Sequence, residues 1–248
     1  MNSRVALVTG GGRGIGREAA RLLAAEGNRV MVAARSADEL RSVGLDYVAA
    51  DLGTEEGCAH AVAETERRLG PIDFLVINHG IGSAHERLIW EQDPKVWRET
   101  MRINLDGPFE LARLTVGGMC QRGFGRLVFT SSTAGQTAEQ KGSAYTASKH
   151  GVIGLARAIA QDAGPFGVTS NAVLPGWVRT EMAERSAKAE SEQRGVSVEQ
   201  VWQERAALYP RKRVLEPIEV AKVIAFLCSD AAVGINGEAV TVALGGVW

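Results

Sequence analysis

Near its N-terminus the chain reads Val5-Ala-Leu-Val-Thr-Gly-Gly-Gly-Arg-Gly-Ile-Gly16, and this segment predicts a strand, a tight turn and a helix in that order. Its first five residues are an apolar run typical of a buried strand, and residues 14–26 have helical apolar periodicity. Glycines at 10, 14 and 16 leave the turn without side chains, so its backbone can approach a ligand closely. The following helix N-terminus offers unpaired N–H groups to an anion. The segment therefore predicts a binding site for the pyrophosphate of a dinucleotide.

Short apolar runs alternate with amphipathic stretches along the rest of the chain. Strands are predicted at 5–9, 29–33, 46–50, 74–78, 126–131, 168–174 and 238–243. Helices are predicted at 14–26, after Ser36, from Thr54 to about 70, and at 143–163 and 217–229. A long helical region is predicted at 94–122, and two helical patches in the polar region 180–207. This alternation predicts an α/β fold, a Rossmann-type doubly wound parallel sheet of about seven strands with helices on both faces. We expect one domain over 1–248, in which the polar region 180–212 forms a helical lid.

Length and charge narrow the class of protein. The 248 residues fit one α/β domain, and 28 basic residues nearly balance 29 acidic ones. That balance gives no electrostatic reason to expect a nucleic-acid or membrane partner. No signal-peptide pattern and no apolar run of the roughly 18 residues needed for a membrane span are present, so we expect a cytoplasmic protein. Cys58, Cys120 and Cys228 lack the spacing of a metal or redox motif, so no metal site is expected.

The end of the predicted second strand bears on the choice of dinucleotide. An NAD site usually has Asp or Glu about 20 residues beyond the glycines. Here that position reads Ala33-Ala34-Arg35-Ser36, and Arg35 and Arg13 could each pair with a 2′-phosphate, a contact of about 1.5–3 kcal/mol. NADP(H) is therefore favoured over NAD(H), unless both arginines are solvated and Asp38 contacts a hydroxyl instead. Asp51, after the third strand, either accepts a hydrogen bond from the adenine amino group or only begins a helix.

A second group of residues suggests acid–base chemistry. Tyr145 and Lys149 are spaced i, i+4 in a predicted helix and therefore share one face. Ser131 and Ser132 end the fifth strand, at the carboxyl edge where open α/β sheets bind ligands. Tyrosine ordinarily has a pKa of about 10, and a neighbouring ammonium lowers that pKa. By itself, however, a Tyr-x-x-x-Lys pair is more often a surface pair.

Together these motifs resemble the short-chain dehydrogenase/reductase family, and the resemblance covers nearly the whole chain. The matching residues, in the family's order, are Thr9-Gly-x-x-x-Gly-Ile-Gly16, Asp51, Asn78 with Gly80, Asn104, Ser132, Tyr145-Thr-Ala-Ser-Lys149 and Pro175-Gly176. The resemblance implies an oxidoreductase that moves a hydride between C4 of a nicotinamide and a secondary alcohol or ketone. NADP(H) is the expected cofactor, with NAD(H) as the alternative.

The resemblance also implies a role for each matching residue. Tyr145 would be the general acid/base, and Lys149 would lower its pKa and hold the nicotinamide ribose. Ser132 would orient the substrate oxygen. Asn104 would bind a water that relays protons toward Lys149, unless its amide only supports a helix kink. The expected cofactor-binding residues are Gly10, Arg13, Gly14, Ile15, Gly16, Arg35, Asp51, Leu52, Asn78, Gly80, Tyr145, Lys149, Pro175, Gly176, Val178 and Thr180.

Some positions depart from the family pattern. Ile77 and His79 stand where the family has the first Asn and the Ala of Asn-Asn-Ala-Gly. We favour a packing role near the cofactor for His79 over a second acid/base role. The lid resembles that of 3-hydroxybutyrate dehydrogenases, but Gly82 and Ala134 replace the side chains that hold a carboxylate there, which disfavours a free 3-hydroxy acid. Trp177, Met182 and Trp202 either line an apolar substrate pocket or pack the lid.

We therefore expect an activity like that of a 3-oxoacyl-thioester reductase on a small-molecule substrate. The alternatives are a dehydrogenase of cyclic, aromatic or hydroxy-acid alcohols and, from another class, a non-catalytic module that senses the cofactor ratio. The complete set Asn104, Ser132, Tyr145 and Lys149 disfavours the sensor. By analogy with the family, the small residues in the predicted helices 104–122 and 143–163 lead us to expect a homotetramer.

Overall fold

The structure is a computed structural model that describes residues 3–83 and 86–246. Within those ranges, parallel strands form one sheet of seven in the order β3-β2-β1-β4-β5-β6-β7. The strands are β1 (Val5–Thr9), β2 (Arg29–Ala34), β3 (Asp46–Ala49), β4 (Phe74–Ile77), β5 (Gly125–Thr130), β6 (Val168–Pro175) and β7 (Ala239–Val242). Strand order reverses between β1 and β4, and in open α/β sheets ligands bind beyond the carboxyl ends of the strands at such a point. The predicted fold is confirmed.

Helices cover both faces of this sheet. They are α1 (Gly14–Ala25), α2 (Ala37–Arg41), α3 (Glu55–Leu69), α4 (Pro94–Met101), α5 (Gly107–Arg122), α6 (Ser143–Ala163), α7 (Glu181–Arg194), α8 (Val198–Ala207) and α9 (Pro217–Cys228). Successive strand residues point to opposite faces, so Leu7 packs with α3, α5 and α6 while Val8 packs with α1 and α9. Both faces are therefore buried, as the continuous apolar strands predict. No helix in the described part of the chain is long and apolar enough to span a membrane.

The predicted helix starts at Ser36 and Thr54 are present, because each side chain caps its helix. Ser36 Oγ accepts the backbone N–H of Glu39 at 3.4 Å, and Thr54 Oγ1 accepts that of Gly57 at 3.0 Å. The polar region 180–207, for which the sequence predicts two helical patches, contains two helices. Gly195 has a φ of +66° and ends α7, and Ser197 then caps α8 by accepting the N–H of Gln200.

The predicted helical region 94–122 is helical but interrupted. A π-helical turn, Arg102–Asp106, separates α4 from α5. Pro108 has no N–H, so it cannot donate the bond that a regular helix would direct to residue 104. The wider turn directs the side chain of Asn104 toward the connection after β4.

Replacement of Leu75 by alanine tests the core. Leu75 is fully buried on β4, which pairs with β1 and β5 at the centre of the sheet. We expect Leu75→Ala to lower the free energy of unfolding by about 2–5 kcal/mol. The substitution removes buried apolar atoms from the core, and the cavity that it leaves adds a further cost. Leu208→Ala is the control, since that side chain is 57% exposed, and should cost under about 1 kcal/mol. Urea denaturation measures both, and equal midpoints would contradict the packing described.

Candidate active site

The turn between β1 and α1 has the shape of an anion-binding cradle. Gly10 and Gly14 have φ values of +63° and +53°, which favour glycine. A β-carbon added at Gly16 would lie 2.3 Å from the carbonyl oxygen of Gly10, so no side chain fits there. Arg13 precedes α1 without capping it, and the first turn holds no acidic residue. The N–H groups of the first turn therefore face the crevice without a side-chain partner of their own, which suits a bound phosphate.

Two further elements adjoin this turn. Asn78 follows β4, where its amide donates to the Gly10 carbonyl at 3.5 Å and accepts from Thr130 Oγ1 at 3.1 Å. Thr180 caps α7, and its methyl carbon lies 3.2 Å from where a β-carbon on Gly14 would be. Ile15 packs against the core on the α1 side of the sheet. The structure thus brings the predicted residues of three chain segments to one end of the crevice.

At the far end of the crevice, two of the three charged residues that were predicted to contact the cofactor, Arg13 and Asp51, already have partners. Arg13 Nη1 lies 2.7 Å from Glu39 Oε1, in α2. Asp51 accepts the N–H of Gly53 at 3.1 Å and an N–H of Arg102 at 3.2 Å. Partial burial opposes ionisation of Asp51, but the Gly53 bond and the charge of Arg102 hold its pKa below the usual range.

The charge of Arg35, beyond β2, also acts on Asp51 in the same direction. Leu52, the other residue predicted at this end, is 3% exposed and joins the core on the α3 side of the sheet.

Asn104 joins the π-helical turn to the connection after β4. Its Oδ1 accepts the N–H of Ile81 at 2.8 Å, and its Nδ2 donates to the carbonyl of Ile81 at 2.9 Å. The same nitrogen donates to Ser148 Oγ at 3.2 Å. A β-carbon added at Gly80 would lie 3.1 Å from Asn104 Oδ1 and 3.6 Å from Lys149 Nζ. Glycine at this position therefore leaves the Asn104 amide and the Lys149 ammonium facing one space.

Helix α6 carries Tyr145 and Lys149 to the carboxyl edge, beside Ser132. The Tyr145 hydroxyl is hydrogen-bonded to Ser132, whose Oγ also accepts the N–H of Ala134 at 3.1 Å. Lys149 is 6% exposed, and its Nζ donates to the Thr130 carbonyl at 3.0 Å. Burial lowers the pKa of Lys149 to about 8, so this amine keeps most of its charge at neutral pH. The three predicted side chains therefore meet at one place.

The expected lowering of the Tyr145 pKa by Lys149 is not found in the chain by itself. Loss of contact with water raises the pKa of Tyr145 to about 12, and the carboxylates of Glu139 and Glu86 add to this effect, while the Ser132 bond opposes it. Lys149 Nζ lies 5.6 Å from the centre of the phenol ring and bonds to a backbone carbonyl instead. The hydroxyl of Tyr145 is consequently a phenol at neutral pH.

His79 packs between the phosphate turn and the π-helical turn. Its Nδ1 lies 2.8 Å from Thr9 Oγ1, and a β-carbon on Gly107 would be 3.1 Å from its Nε2. Burial, with a contribution from the charge of Lys149, lowers the pKa of His79 to about 4. The imidazole is therefore neutral at physiological pH, as a packing role requires.

The segment that follows β6 packs against a buried tyrosine, Tyr209. Tyr209 is fully buried, and its hydroxyl accepts the N–H of Trp177 at 2.6 Å. The same oxygen would be 2.4 Å from a β-carbon at Gly176, so only glycine fits between Pro175 and Trp177 here. Val178 pairs with Leu215 in an isolated bridge. Residues 175–178 therefore form one wall of the crevice.

The predicted lid region contains α7 and α8, which pack on each other. The guanidinium of Arg205 lies 3.7 Å from the ring centre of Trp177 and 5.0 Å from that of Trp202. Trp202 is 3% exposed and donates its Nε1–H to Glu184, so it packs this region. Met182 is 41% exposed, and its sulfur lies 3.9 Å from where a β-carbon on Gly82 would be. Of the three candidates for an apolar pocket, Met182 thus faces the connection after β4.

Several residues at this site were missed by sequence reasoning. Tyr209, Arg102 and Arg205 are paired through contacts between distant segments, and no local motif marks them. Glu86 is only 4% exposed and bonds to the first turn of α6. In the sequence, the one feature that could have drawn attention to Glu86 is that it is an acidic residue a few positions after Asn78 and Gly80.

Comparison with known proteins defines the family. A family model described as enoyl-(acyl carrier protein) reductase matches residues 10–246. The chain belongs to the short-chain dehydrogenase/reductase family, so the predicted family is confirmed. With the relatives described next, the prediction of an oxidoreductase acting on a ketone/alcohol pair is confirmed at the level of the class.

Three relatives are similar to this chain over nearly its whole length. A putative ketoacyl reductase of Streptomyces coelicolor is 37% identical and covers 98% of this chain and 96% of its own. An acetoacetyl-CoA reductase of Rhizobium meliloti is 37% identical, with 96% of each chain covered. A crystal structure of actinorhodin polyketide ketoreductase with NADPH has a TM-score of 0.90 and 35% identity, and covers 99% of this chain and 98% of the other.

The buried imidazole makes stability depend on pH. The pKa of His79 is about 4 in the folded chain against 6.5 for the free side chain, so between these values the unfolded chain binds a proton that the folded chain lacks. Folding stability is therefore complete above about pH 6.5 and falls toward pH 4. Between pH 7 and pH 5, we expect the free energy of unfolding of His79→Ala to fall about 2 kcal/mol less than that of the wild type. Urea titrations at both pH values measure this, and parallel losses would contradict it.

Proposed function

We propose that this protein reduces a ketone to a secondary alcohol with NADP(H). The observation that carries the proposal is the meeting of Ser132, Tyr145 and Lys149 at the carboxyl edge of β5, next to the glycine cradle that starts α1. Acid–base residues beside a dinucleotide cradle are what hydride transfer to a carbonyl requires. A sensor of the cofactor ratio would not need this set.

The residues of the cradle fit a dinucleotide. The glycine positions leave room for a pyrophosphate, and the N-terminus of α1 lacks a competing side-chain cap. When bound, NADP(H) supplies the hydride at C4 of its nicotinamide. Gly10, Gly14 and Gly16 would hold the pyrophosphate, and the wall 175–178 would support the nicotinamide. Lys149 would bind the ribose hydroxyls.

The proton needed at the ketone oxygen comes from Tyr145. Ser132 Oγ accepts the N–H of Ala134, and the serine hydroxyl, which bonds to Tyr145 in this structure, would turn to orient a substrate oxygen beside the phenol. Because the pKa of Tyr145 is raised to about 12, its hydroxyl is a proton donor at neutral pH. Oxidation of an alcohol would need the phenolate and hence a higher pH.

The proton that Tyr145 loses must be restored. Asn104 Oδ1 and Lys149 Nζ face the space that the glycine at position 80 leaves open. We propose that one water held there by Asn104 passes protons to Lys149. Both N–H groups of the Asn104 amide have partners, so the position of the carboxamide oxygen is fixed.

Removal of the phenol hydroxyl tests the mechanism. Tyr145→Phe should bind NADPH with nearly unchanged affinity but lose turnover by about 100- to 10,000-fold, because it cannot donate the proton. The assay follows NADPH absorbance with a short 3-oxoacyl thioester and with cyclic and aromatic ketones, and cofactor binding is followed by fluorescence. Retained turnover in this variant would overturn the assignment.

The substrate class that we propose is a 3-oxoacyl thioester. Relatives of this chain include proteins named ketoacyl reductase and acetoacetyl-CoA reductase. The two positions that would clamp a free carboxylate hold Gly82 and Ala134, which supports a substrate whose carboxyl group is esterified. Reduction of cyclic or aromatic ketones alone, with no thioester turnover, would replace this substrate class and leave the mechanism in place.

The preference for NADP(H) is proposed from the charges near the ribose end. Arg35 follows β2 where an NAD site usually has a carboxylate, and the similar ketoreductase was solved with NADPH. Arg13 also lies at this end, but Glu39 already binds it at 2.7 Å. A 2′-phosphate would have to compete with Glu39 for Arg13, so Arg35 is the stronger candidate.

Charge removal at Arg35 tests this preference. We expect Arg35→Ala to lower kcat/KM for NADPH about 10- to 100-fold, because it loses a charge-assisted contact with the 2′-phosphate. The kcat/KM for NADH, which has no 2′-phosphate, should change little. Arg35→Lys should retain more of the NADPH rate. Initial rates with both cofactors measure this. Equal losses with NADPH and NADH would show that Arg35 does not contact the 2′-phosphate.

The assembly and location stay predictions. We propose a homotetramer by analogy with the family, and Phe109 and Phe226, which are 51% and 44% exposed, provide apolar surface for subunit contacts. We also propose one domain in which residues 180–212 close over the substrate, and a cytoplasmic location.

A further inference from the structure

Helix α6 carries the proposed acid–base residue but does not cap its own N-terminus. Gly142 precedes the helix and has no side chain to bind the first N–H groups. The carboxylate of Glu86 takes that place. Its Oε2 accepts the N–H of Ala144 and its Oε1 accepts that of Tyr145, both at 2.7 Å. A negative charge at a helix N-terminus is also favourable for the helix dipole.

Glu86 is buried and well positioned for this role. It is 4% exposed, and Ser143 Oγ lies 3.5 Å from its Oε2. Burial of a carboxylate costs free energy unless its oxygens are hydrogen-bonded. Here each oxygen accepts an N–H group at the start of α6. Two short bonds to successive N–H groups fix the first turn of the helix, in which Tyr145 stands.

Described residues on either side of Glu86 along the chain are hydrogen-bonded. Ile81, before it, exchanges two hydrogen bonds with the carboxamide of Asn104. Beyond it, the N–H of Arg87 bonds to Gln92 Oε1 at 2.7 Å. Glu86 also donates its own N–H to the carbonyl of Ser83 at 2.9 Å. The Glu86 carboxylate therefore links the connection after β4 to the first turn of α6, which contains Tyr145.

The charge of Glu86 acts on the phenol as well. The groups that face Tyr145 are Ser132 after β5, Lys149 on α6, Glu139 in the segment before α6, and Glu86. Burial is the main reason why the pKa of Tyr145 is raised, and the two carboxylates add to it. Glu139 shares this electrostatic effect, but no bond from its carboxylate to the first turn of α6 is present in the described part of the chain. Glu139 thus provides a matched comparison.

We propose that Glu86 is a positioning residue for the acid–base step, because its carboxylate, bonded to the N–H groups of Ala144 and Tyr145, fixes Tyr145 in the first turn of α6. The inference rests on the proposed function of Tyr145. It differs from the roles implied by the family resemblance, because Glu86 belongs to none of the matching motifs.

The test uses Glu86→Gln, Glu86→Asp and Glu139→Gln in the full chain. Amide hydrogen exchange at Ala144 and Tyr145 reports the bonds to the helix. Carbon-13 NMR of labelled tyrosine reports the phenol titration, since the chain has three tyrosines and the Tyr145→Phe variant assigns the signal. The pH dependence of kcat for ketone reduction is the third readout.

Each variant has its own expected pattern. Glu86→Gln should lose about tenfold in protection of one of the two amides, because its side chain keeps one acceptor oxygen while its NH₂ group cannot accept a bond, and its phenol should titrate at lower pH. Its kcat should fall about tenfold, and the alkaline loss of reduction rate should move to lower pH.

Glu86→Asp keeps the charge but is one methylene shorter, so it should lose amide protection and keep the phenol titration. Glu139→Gln should move the titration and leave the amides unchanged.

Two outcomes would overturn the inference. Unchanged amide exchange in Glu86→Gln and Glu86→Asp would remove the positioning role, and an unchanged phenol titration in Glu86→Gln would remove the role of the charge. Both readouts are independent of turnover. Failure of the proposed function would appear separately, as retained turnover in Tyr145→Phe.

Discussion

The carbonyl oxygen of Gly10 occupies the space that a side chain on Gly16 would need, and the arrangement of the crevice depends on this contact. A β-carbon at Gly16 would lie 2.3 Å from that oxygen and 2.6 Å from the amide nitrogen of Asn78. Because the side chain is absent, the chain can turn directly from β1 into α1 and direct the N-terminus of α1 at the crevice. The end of β4 and the start of α7, through Asn78 and Thr180, then pack around the same turn.

Polar side chains at the carboxyl edge of the sheet are held mainly by backbone groups. Asn104 bonds to Ile81, Lys149 to the carbonyl of Thr130, and Glu86 to the start of α6. A buried polar group left unpaired costs about 1–3 kcal/mol, so each of these connections has one strongly favoured arrangement. The crevice is consequently preorganised by the same bonds that make its loops stable.

The charge of the crevice changes along its length. Arg13 and Arg35 lie at the end where the adenosine part of a dinucleotide would bind, whereas Glu86 and Glu139 lie around Tyr145. The overall net charge of −1 conceals this asymmetry. The two arginines suit a phosphorylated ribose, with Arg13 shared with Glu39, and the two carboxylates around Tyr145 suit a neutral carbonyl group better than a free carboxylate. The same carboxylates add to the effect of burial, which is the main reason why the pKa of Tyr145 is raised.

Features that depend on neighbouring residues could be predicted from the sequence alone. The strand, turn and helix around the glycines, the caps at Ser36 and Thr54, and the shared helix face of Tyr145 and Lys149 are set by spacing and backbone chemistry within a few residues. For Asn104 a helix kink was one of two interpretations, and for His79 a packing role was favoured, so these two features were predicted in part. The pairing of Arg13 with Glu39 and the π-helical turn after α4 were not, because they require contacts or backbone geometry that no short motif encodes.

Glu86 shows this limit most clearly, since 58 residues separate it from Ala144. Its position follows from the crossover that brings the connection after β4 against α6, and a sequence pattern does not specify which carboxylate enters that contact. Likewise, the partner of Lys149 and the raised pKa of Tyr145 depend on how much water the packed loops exclude. Sequence alone therefore determined the order of the elements and the chemistry available at the sheet edge. Tertiary structure decided which of those groups meet and how strongly each one is charged, because partner choice and desolvation arise only when distant segments pack together.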